Sequence, residues 1–184
     1  METPTTDIDP KQSFPANPSE ALEKLMAAYG STVLRTAFFY LGDRHLAEDV
    51  SQEAFIRAYR AWSGFRGESS VKTWLTRITI NLCRDKMRPK SSSEEPTDPL
   101  LLRRDHPVTV EEEALERLNK TAVLKHVLDL PLPYQEVLYL FYYLDLSTRE
   151  IAEAIGSAEG TVRTRLHRAR EYLGERLRRE GFDQ

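Results

Sequence analysis

Residues 147–173 read STREIAEAIGSAEGTVRTRLHRAREYL, and the fold turns on this stretch. Ser147 followed three places later by Glu150 predicts a capping box, in which hydroxyl and carboxylate each satisfy a backbone N–H that the first helical turn leaves open. The box opens a short helix, Thr148–Ile155, and Gly156 suits the left-handed residue that closes it. From Glu159 to about Arg179 a longer helix follows, with Val162, Leu166, Ala169, Leu173 and Leu177 along one core stripe. A short capped helix, a tight turn and a longer helix make a helix-turn-helix. The face opposite the stripe carries Arg163, Thr164, His167 and Arg168 in the early turns, where a recognition helix meets base edges. Arginine suits guanine and threonine a thymine methyl. Arg165 and Arg170 flank that face at phosphate reach. Ser147, Thr148, Arg149 and Thr161 stand at the two helix starts, where backbone N–H groups favour phosphate. The plainer alternative is a solvated arginine face supported by i,i+4 pairs with Glu171 and the acids after it.

Working outward toward the N-terminus, Tyr134 to Leu144 reads as a helix set off by Pro131 and Pro133. Thr109 with Glu112 predicts another capping box, opening a helix of about Val110–Leu130. Residues 89–108 hold four prolines and the serine run Ser91–Ser93, the composition of a linker, with the apolar patch Leu100–Leu102 inside it. Three helices are expected before the linker. Leu22–Leu41 is capped by Ser19 and ended by Gly42; Leu46–Trp62 has Ala47, Val50, Ala54, Ala58 and Trp62 on one face. Val71–Met87 places Val71, Trp74, Leu75, Ile78 and Leu82 on a core stripe. Residues 1–19, with Pro4, Pro10, Pro15 and Pro18, read as a disordered leader. The expected class is therefore all-α: two small helical domains, 20–88 and 112–180, joined by a flexible acidic linker, 89–111.

The formal net charge of −3 argues weakly against nucleic acid, but its distribution does not. Residues 71–90 hold six Lys/Arg against one acid, residues 160–170 hold four Arg and no acid, and residues 91–118 carry a net of −5. Two basic helices thus flank an acidic middle. Along Val71–Met87 the face away from the stripe repeats Thr73, Arg77, Asn81 and Arg84, extended by Lys72 and Lys86. The preceding loop offers Phe65, Arg66, Glu68 and Ser69. Aromatic and polar groups beside a charged helix can hold unstacked bases of a single strand. Phe65 and Trp74 can equally be core, and Trp74 can be core with a DNA-facing edge. Asp49, Gln52, Glu53, Ile56 and Arg60 form an acidic stripe, which serves either as solvated surface or as a docking face.

Several classes are disfavoured. The single thiol, Cys83, gives neither a disulfide nor metal-ligand spacing and reads as a small buried hydrophobe. The four histidines are scattered, and no phosphate loop or converging nucleophile and base is present, so neither a cofactor, a metal nor an enzyme is expected. No apolar run approaches the ~20 residues of a membrane span, and the N-terminus lacks the pattern of a secretion signal. A cytoplasmic protein is expected. Two other readings stay open at this point: a stand-alone dimeric helix-turn-helix regulator, and a hydrolase.

Three long runs carry a resemblance. The run 47–59, AEDVSQEAFIRAY, looks like the region 2 core of bacterial RNA polymerase sigma factors; residues 65–82 resemble their promoter-melting segment; and 159–170, EGTVRTRLHRAR, resembles region 4. Two domains without further regions resemble the extracytoplasmic-function class. The resemblance implies that Asp49, Gln52, Glu53 and Ile56 face the β′ clamp helices of core RNA polymerase. Region 4 would meet the β flap. The loop Phe65–Ser70 with Lys72, Thr73, Trp74, Arg77, Asn81 and Arg84 would take the −10 element as a single strand. The helix-turn-helix would read the −35 element as duplex. An anti-sigma factor is a further implied partner. Ala158 departs from the usual capping residue before Glu159, with Ser157 as a substitute.

Overall fold

The computed structural model describes residues 15–88 and 126–179, and the chain divides into two compact units, at residues 91 and 92. All regular elements among the described residues are helical. The linker, the patch Leu100–Leu102, the box at Thr109 and most of the helix expected from Val110 lie outside them.

The first unit is three helices, each packed on the other two. Helix α1 spans Pro18–Leu41, α2 Arg44–Ala61 and α3 Val71–Met87. The start of α1 corrects the expected one. Asn17, not Ser19, is the cap, its side-chain oxygen accepting from the Ser19 amide at 2.9 Å. Pro18 then fills the first turn, where its missing N–H costs nothing and its fixed φ already suits a helix. Gly42, at φ 64°, ends α1, and Asp43 at once caps α2 by accepting from the Leu46 amide at 2.9 Å. One left-handed glycine and one carboxylate thus turn the chain between two antiparallel helices. The stripe of α2 buries as expected at Ala47, Val50, Ala54, Ala58 and Trp62, and Phe55 joins it.

The buried face of α3 differs from expectation. Trp74 and Ile78 are half-exposed, while Thr73, Thr76, Thr79, Ile80 and Cys83 are buried beside Val71, Leu75 and Leu82. A helix wedged between two others buries a wider arc than one stripe. Threonines can fill it because their hydroxyls find partners close by. The Thr79 hydroxyl donates to the Leu75 carbonyl at 2.9 Å, as Thr36 does to Thr32 at 2.8 Å. Each fully buried Leu, Ile or Val contributes about 1.5–3 kcal/mol, so the apolar half of this face dominates.

The described part of the second unit opens with residues 126–128, which are helical, and continues through α4, Leu132–Leu138. A wider π-turn, Tyr139–Tyr143, follows, with the Leu144 amide bonded to the Tyr139 carbonyl at 3.2 Å. The expected helix Tyr134–Leu144 is therefore two pieces. The wide turn stacks Tyr139 on Tyr143 at 5.0 Å, and Asp145 at φ 52° then reverses the chain. Buried Gln135 ties α4 to what precedes it: its Nε2 donates to the carbonyls of Leu128 at 2.8 Å and Leu130 at 2.6 Å. Helices α5, Thr148–Ile155, and α6, Glu159–Arg179, match the reading from sequence in extent. Both pack on neighbours through Ile151, Ala154, Ile155, Val162, Leu166 and Ala169. Leu173 and Leu177 are only half-buried; the links there are Tyr172 against Tyr134 and Arg176 to Asp129 at 3.2 Å.

Candidate nucleic-acid interface

The geometry of α5 and α6 follows from their ends. The Ser147 amide donates to Glu150 Oε2 at 2.9 Å and the Glu150 amide to Ser147 Oγ at 3.3 Å, closing the capping box. Gly156 takes φ 69° and the Ser157 amide returns to the Ala152 carbonyl at 2.9 Å. The carbonyl of Ala158 accepts from Thr161 and Val162, which sets the register: α6 starts at Glu159. Ala158 offers no side-chain oxygen. A carboxylate in the first turn, Glu159, complements the positive end of the helix instead.

In this register Val162, Leu166 and Ala169 are buried, and Arg163, Thr164, His167 and Arg168 are all exposed. Their spacing of one, four and five residues puts them on one face, about 7 Å long at 1.5 Å per residue. The Thr164 hydroxyl donates to the Gly160 carbonyl at 2.9 Å, so its methyl is the group left for contact. His167 Nε2 lies 3.4 Å from Glu171. Arg168 has no partner among the described residues. Arg163 Nη2 and Thr148 Oγ1 both donate to the same Glu159 oxygen, each at 2.7 Å. Hydrogen bonds from Thr148 and then Arg163 hold the Glu159 carboxyl below the ordinary carboxylate range. Arg149, Thr161 and Ser147 are exposed near the two helix starts, and Arg165 is half-buried. Arg170 is placed otherwise than at phosphate reach alone. Its Nε donates to the Tyr142 hydroxyl at 2.9 Å and its guanidinium lies 5.2 Å from the Phe141 ring centre. It clamps α6 to the π-turn.

In the first unit, the loop before α3 is braced by three rings. Phe65 stacks on Trp62 at 5.5 Å and leans on Trp74 at 4.8 Å. Trp62 Nε1 donates to the Pro15 carbonyl at 3.0 Å, tying in the chain before α1. Phe65 and Trp74 therefore pack on each other while keeping part of their surface exposed. Gly67 at φ 68° turns the loop, and Arg66 and Glu68 are exposed, with Ser69 half-exposed. On α3, Arg77 and Asn81 are exposed and Lys72 and Arg84 half-exposed. Thr73 corrects the expected face. It has no exposed surface; its amide donates to Ser70 Oγ at 3.1 Å and the two hydroxyls share a bond of 2.8 Å. As the third residue of a capped helix it faces inward, so it supports the loop and meets no base.

On α2, Asp49, Gln52 and Ile56 are exposed, and Glu53 pairs with Arg57 at 2.9 Å. Leu46 and Tyr59 are also exposed on the same helix, outside both the core stripe and the acidic stripe expected from sequence. Burial pushes the Cys83 thiol up to about 12. Among the described residues no group of His, Cys, Asp or Glu is placed to hold a metal, and no helix is long and apolar enough to cross a membrane.

Residues 25–92 match Sigma-70 region 2, and residues 120–173 match Sigma-70 region 4. The chain is 33% identical over 168 residues to the ECF RNA polymerase sigma factor SigW of Bacillus subtilis, covering 86% of this chain and 90% of that protein. It is 33% identical over 166 residues to the RNA polymerase sigma-H factor of Pseudomonas aeruginosa, covering 85% and 86%. Among solved structures, CnrH in complex with the cytosolic domain of CnrY shares the fold at a TM-score of 0.61 and 22% identity, over 91% of this chain and all of that one. The sigma factor RpoE bound to the anti-sigma factor NepR, from Bartonella quintana, does so at 0.58 and 20%, over 85% and 96%.

Proposed function

The chain belongs to the extracytoplasmic-function RNA polymerase sigma factors, and on that premise we propose how its residues divide the work. It binds core RNA polymerase and directs transcription initiation at promoters, with the first unit opening the −10 element and the second reading the −35 element. It lends specificity to a catalyst rather than acting as one, and it works where polymerase and DNA are, in the cytoplasm.

The observation that carries the residue assignment is the row Arg163, Thr164, His167 and Arg168, exposed together on a helix whose other face is core. That row reads base edges in the duplex. Ser147, Thr148, Arg149 and Thr161 hold phosphates at the helix starts, and Arg165 flanks them. In the first unit, Arg66, Glu68, Ser69, Arg77 and Asn81 take flipped bases, with Phe65 and Trp74 offering ring edges and Lys72 and Arg84 holding the backbone. Unstacking a base costs a few kcal/mol, and trapping it in such a site offsets that cost. Asp49, Gln52, Glu53 and Ile56 dock on the polymerase β′ clamp, with the β flap meeting the second unit. A regulator of anti-sigma type is a further partner, as RpoE of Bartonella quintana has in NepR.

The test is to mix the purified chain with core polymerase and a genomic promoter library. We expect co-purification with core and run-off transcripts that core alone does not make. Arg168→Ala should bind core normally and give those transcripts roughly 5- to 150-fold less well. A chain that neither binds core nor directs any transcript would refute the reading.

A further inference from the structure

Glu159 is an acid at the mouth of a surface that must approach a polyanion. Its placement would weaken DNA binding unless it did something else there. Its Oε1 accepts from two groups at once, the Thr148 hydroxyl at the start of α5 and Arg163 Nη2 one turn along α6, each at 2.7 Å. As a stabilising ion pair it is worth little, since Arg163 is 68% exposed and such pairs are screened by water. Its geometry is worth more. The Thr148 link joins the starts of the two helices and fixes the carboxylate, and the fixed carboxylate in turn fixes a guanidinium that would otherwise sweep a wide arc. An untethered arginine at this position pairs with whatever phosphate comes near. One held through Nη2 can still present its other N–H groups to a base edge.

We infer that Glu159 is a positioning residue that sets the base preference of Arg163 and keeps that arginine off the phosphate backbone. The inference rests on the second unit being the duplex reader. Two consequences follow. Removing the charge of Glu159 lowers discrimination at the base pair Arg163 reads. It also raises affinity for DNA of any sequence, because one more cation is released to phosphates and one anion is gone. A group that merely braced the turn would leave discrimination at that base pair unchanged.

The experiment is selection of a randomised −35 duplex by holoenzyme carrying the full chain, with four variants: wild type, Glu159→Gln, Arg163→Met, and the double variant. Binding of a random-sequence duplex is measured across salt concentrations alongside. Glu159→Gln removes the charge, which weakens the hold on the Arg163 guanidinium more than that on the neutral Thr148 hydroxyl, and its thermal melt reports whether the unit still folds. We expect it to enrich a motif that is blurred at one base pair, with discrimination there down roughly tenfold. Its affinity for random duplex should rise several-fold at low salt, with a salt slope steeper by about one. In the Arg163→Met background the same change should leave the motif untouched. The inference is overturned if Glu159→Gln selects the wild-type motif undiminished. It is overturned too if the change still alters the motif in the Arg163→Met background, which would mean that Glu159 contacts a base itself. Wild-type holoenzyme that enriches no motif would instead remove the duplex-reading assignment, and this inference with it.

Discussion

Cys83 shows how far burial alone sets the chemistry of one side chain. The thiol has no exposed surface and sits on α3 among residues that face the other two helices of its unit. Losing hydration disfavours the thiolate, which pushes the group up to about 12, although Arg84 beside it pulls the other way. The reactive form of cysteine is the thiolate. The native chain should therefore resist thiol-directed reagents at pH 8 and react fully once denatured; rapid native labelling would contradict the burial. The linked effect on stability has a definite sign. The folded state prefers the protonated thiol, so the stability it contributes is fully present below the unfolded thiol value, ~8.5. It is lost as pH rises from there through about 12. Denaturant midpoints of the wild type and of Cys83→Ala, followed from pH 7 to 10.5, should converge as pH rises. Buriedness of this thiol was legible from sequence, since it stands one place from Leu82 on the core stripe. That of Thr73 was not, because a hydroxyl at helical spacing looks the same whether it meets solvent or a capping serine.

At the scale of one helix, α6 separates packing from recognition residue by residue, and two substitutions two positions apart test the separation. Leu166 is 2% exposed and lies on the buried stripe of α6 with Val162 and Ala169. Leu166→Ala should cost about 2–5 kcal/mol of stability, read as a lowered melting temperature, with base preference unchanged in molecules that remain folded. Arg168→Ala should leave the melt within about 0.5 kcal/mol and cost about 1–3 kcal/mol of discrimination at a single base pair. Should both variants lose stability equally, the exposed face is structural. This helix was legible almost throughout, because stripe, basic face and end signals repeat one message over twenty-one residues. Its fastenings were not. Gln135 bonding the Leu128 and Leu130 carbonyls across a proline turn, Arg170 bonding the Tyr142 hydroxyl, and Trp62 reaching Pro15 join residues 7 and 5, 28 and 47 places apart. No local period encodes such pairs. The face of α3 was misread for a related reason: periodicity finds the centre of a buried arc but not its width, which depends on how many helices surround it.

For the whole molecule, each unit carries its own core, three helices with α1 to α3 and a capped helix-turn-helix with α4 to α6. On the proposed reading, the covalent connection is what makes the two modest DNA contacts act as one. Tethering turns the second contact into an intramolecular event and multiplies affinity by about 10²–10⁴ without any new interaction. Separate chains of residues 1–91 and 92–184 should then each be helical by circular dichroism and melt on their own. Mixed with core polymerase at equal concentration, they should direct promoter transcription at least ~100-fold less well than the intact chain. Raising their concentration should recover part of the loss, because mass action replaces the tether. Full activity of the mixture at the concentration of the intact chain would mean that polymerase alone aligns the two units, and that residues 89–125 contribute nothing but length.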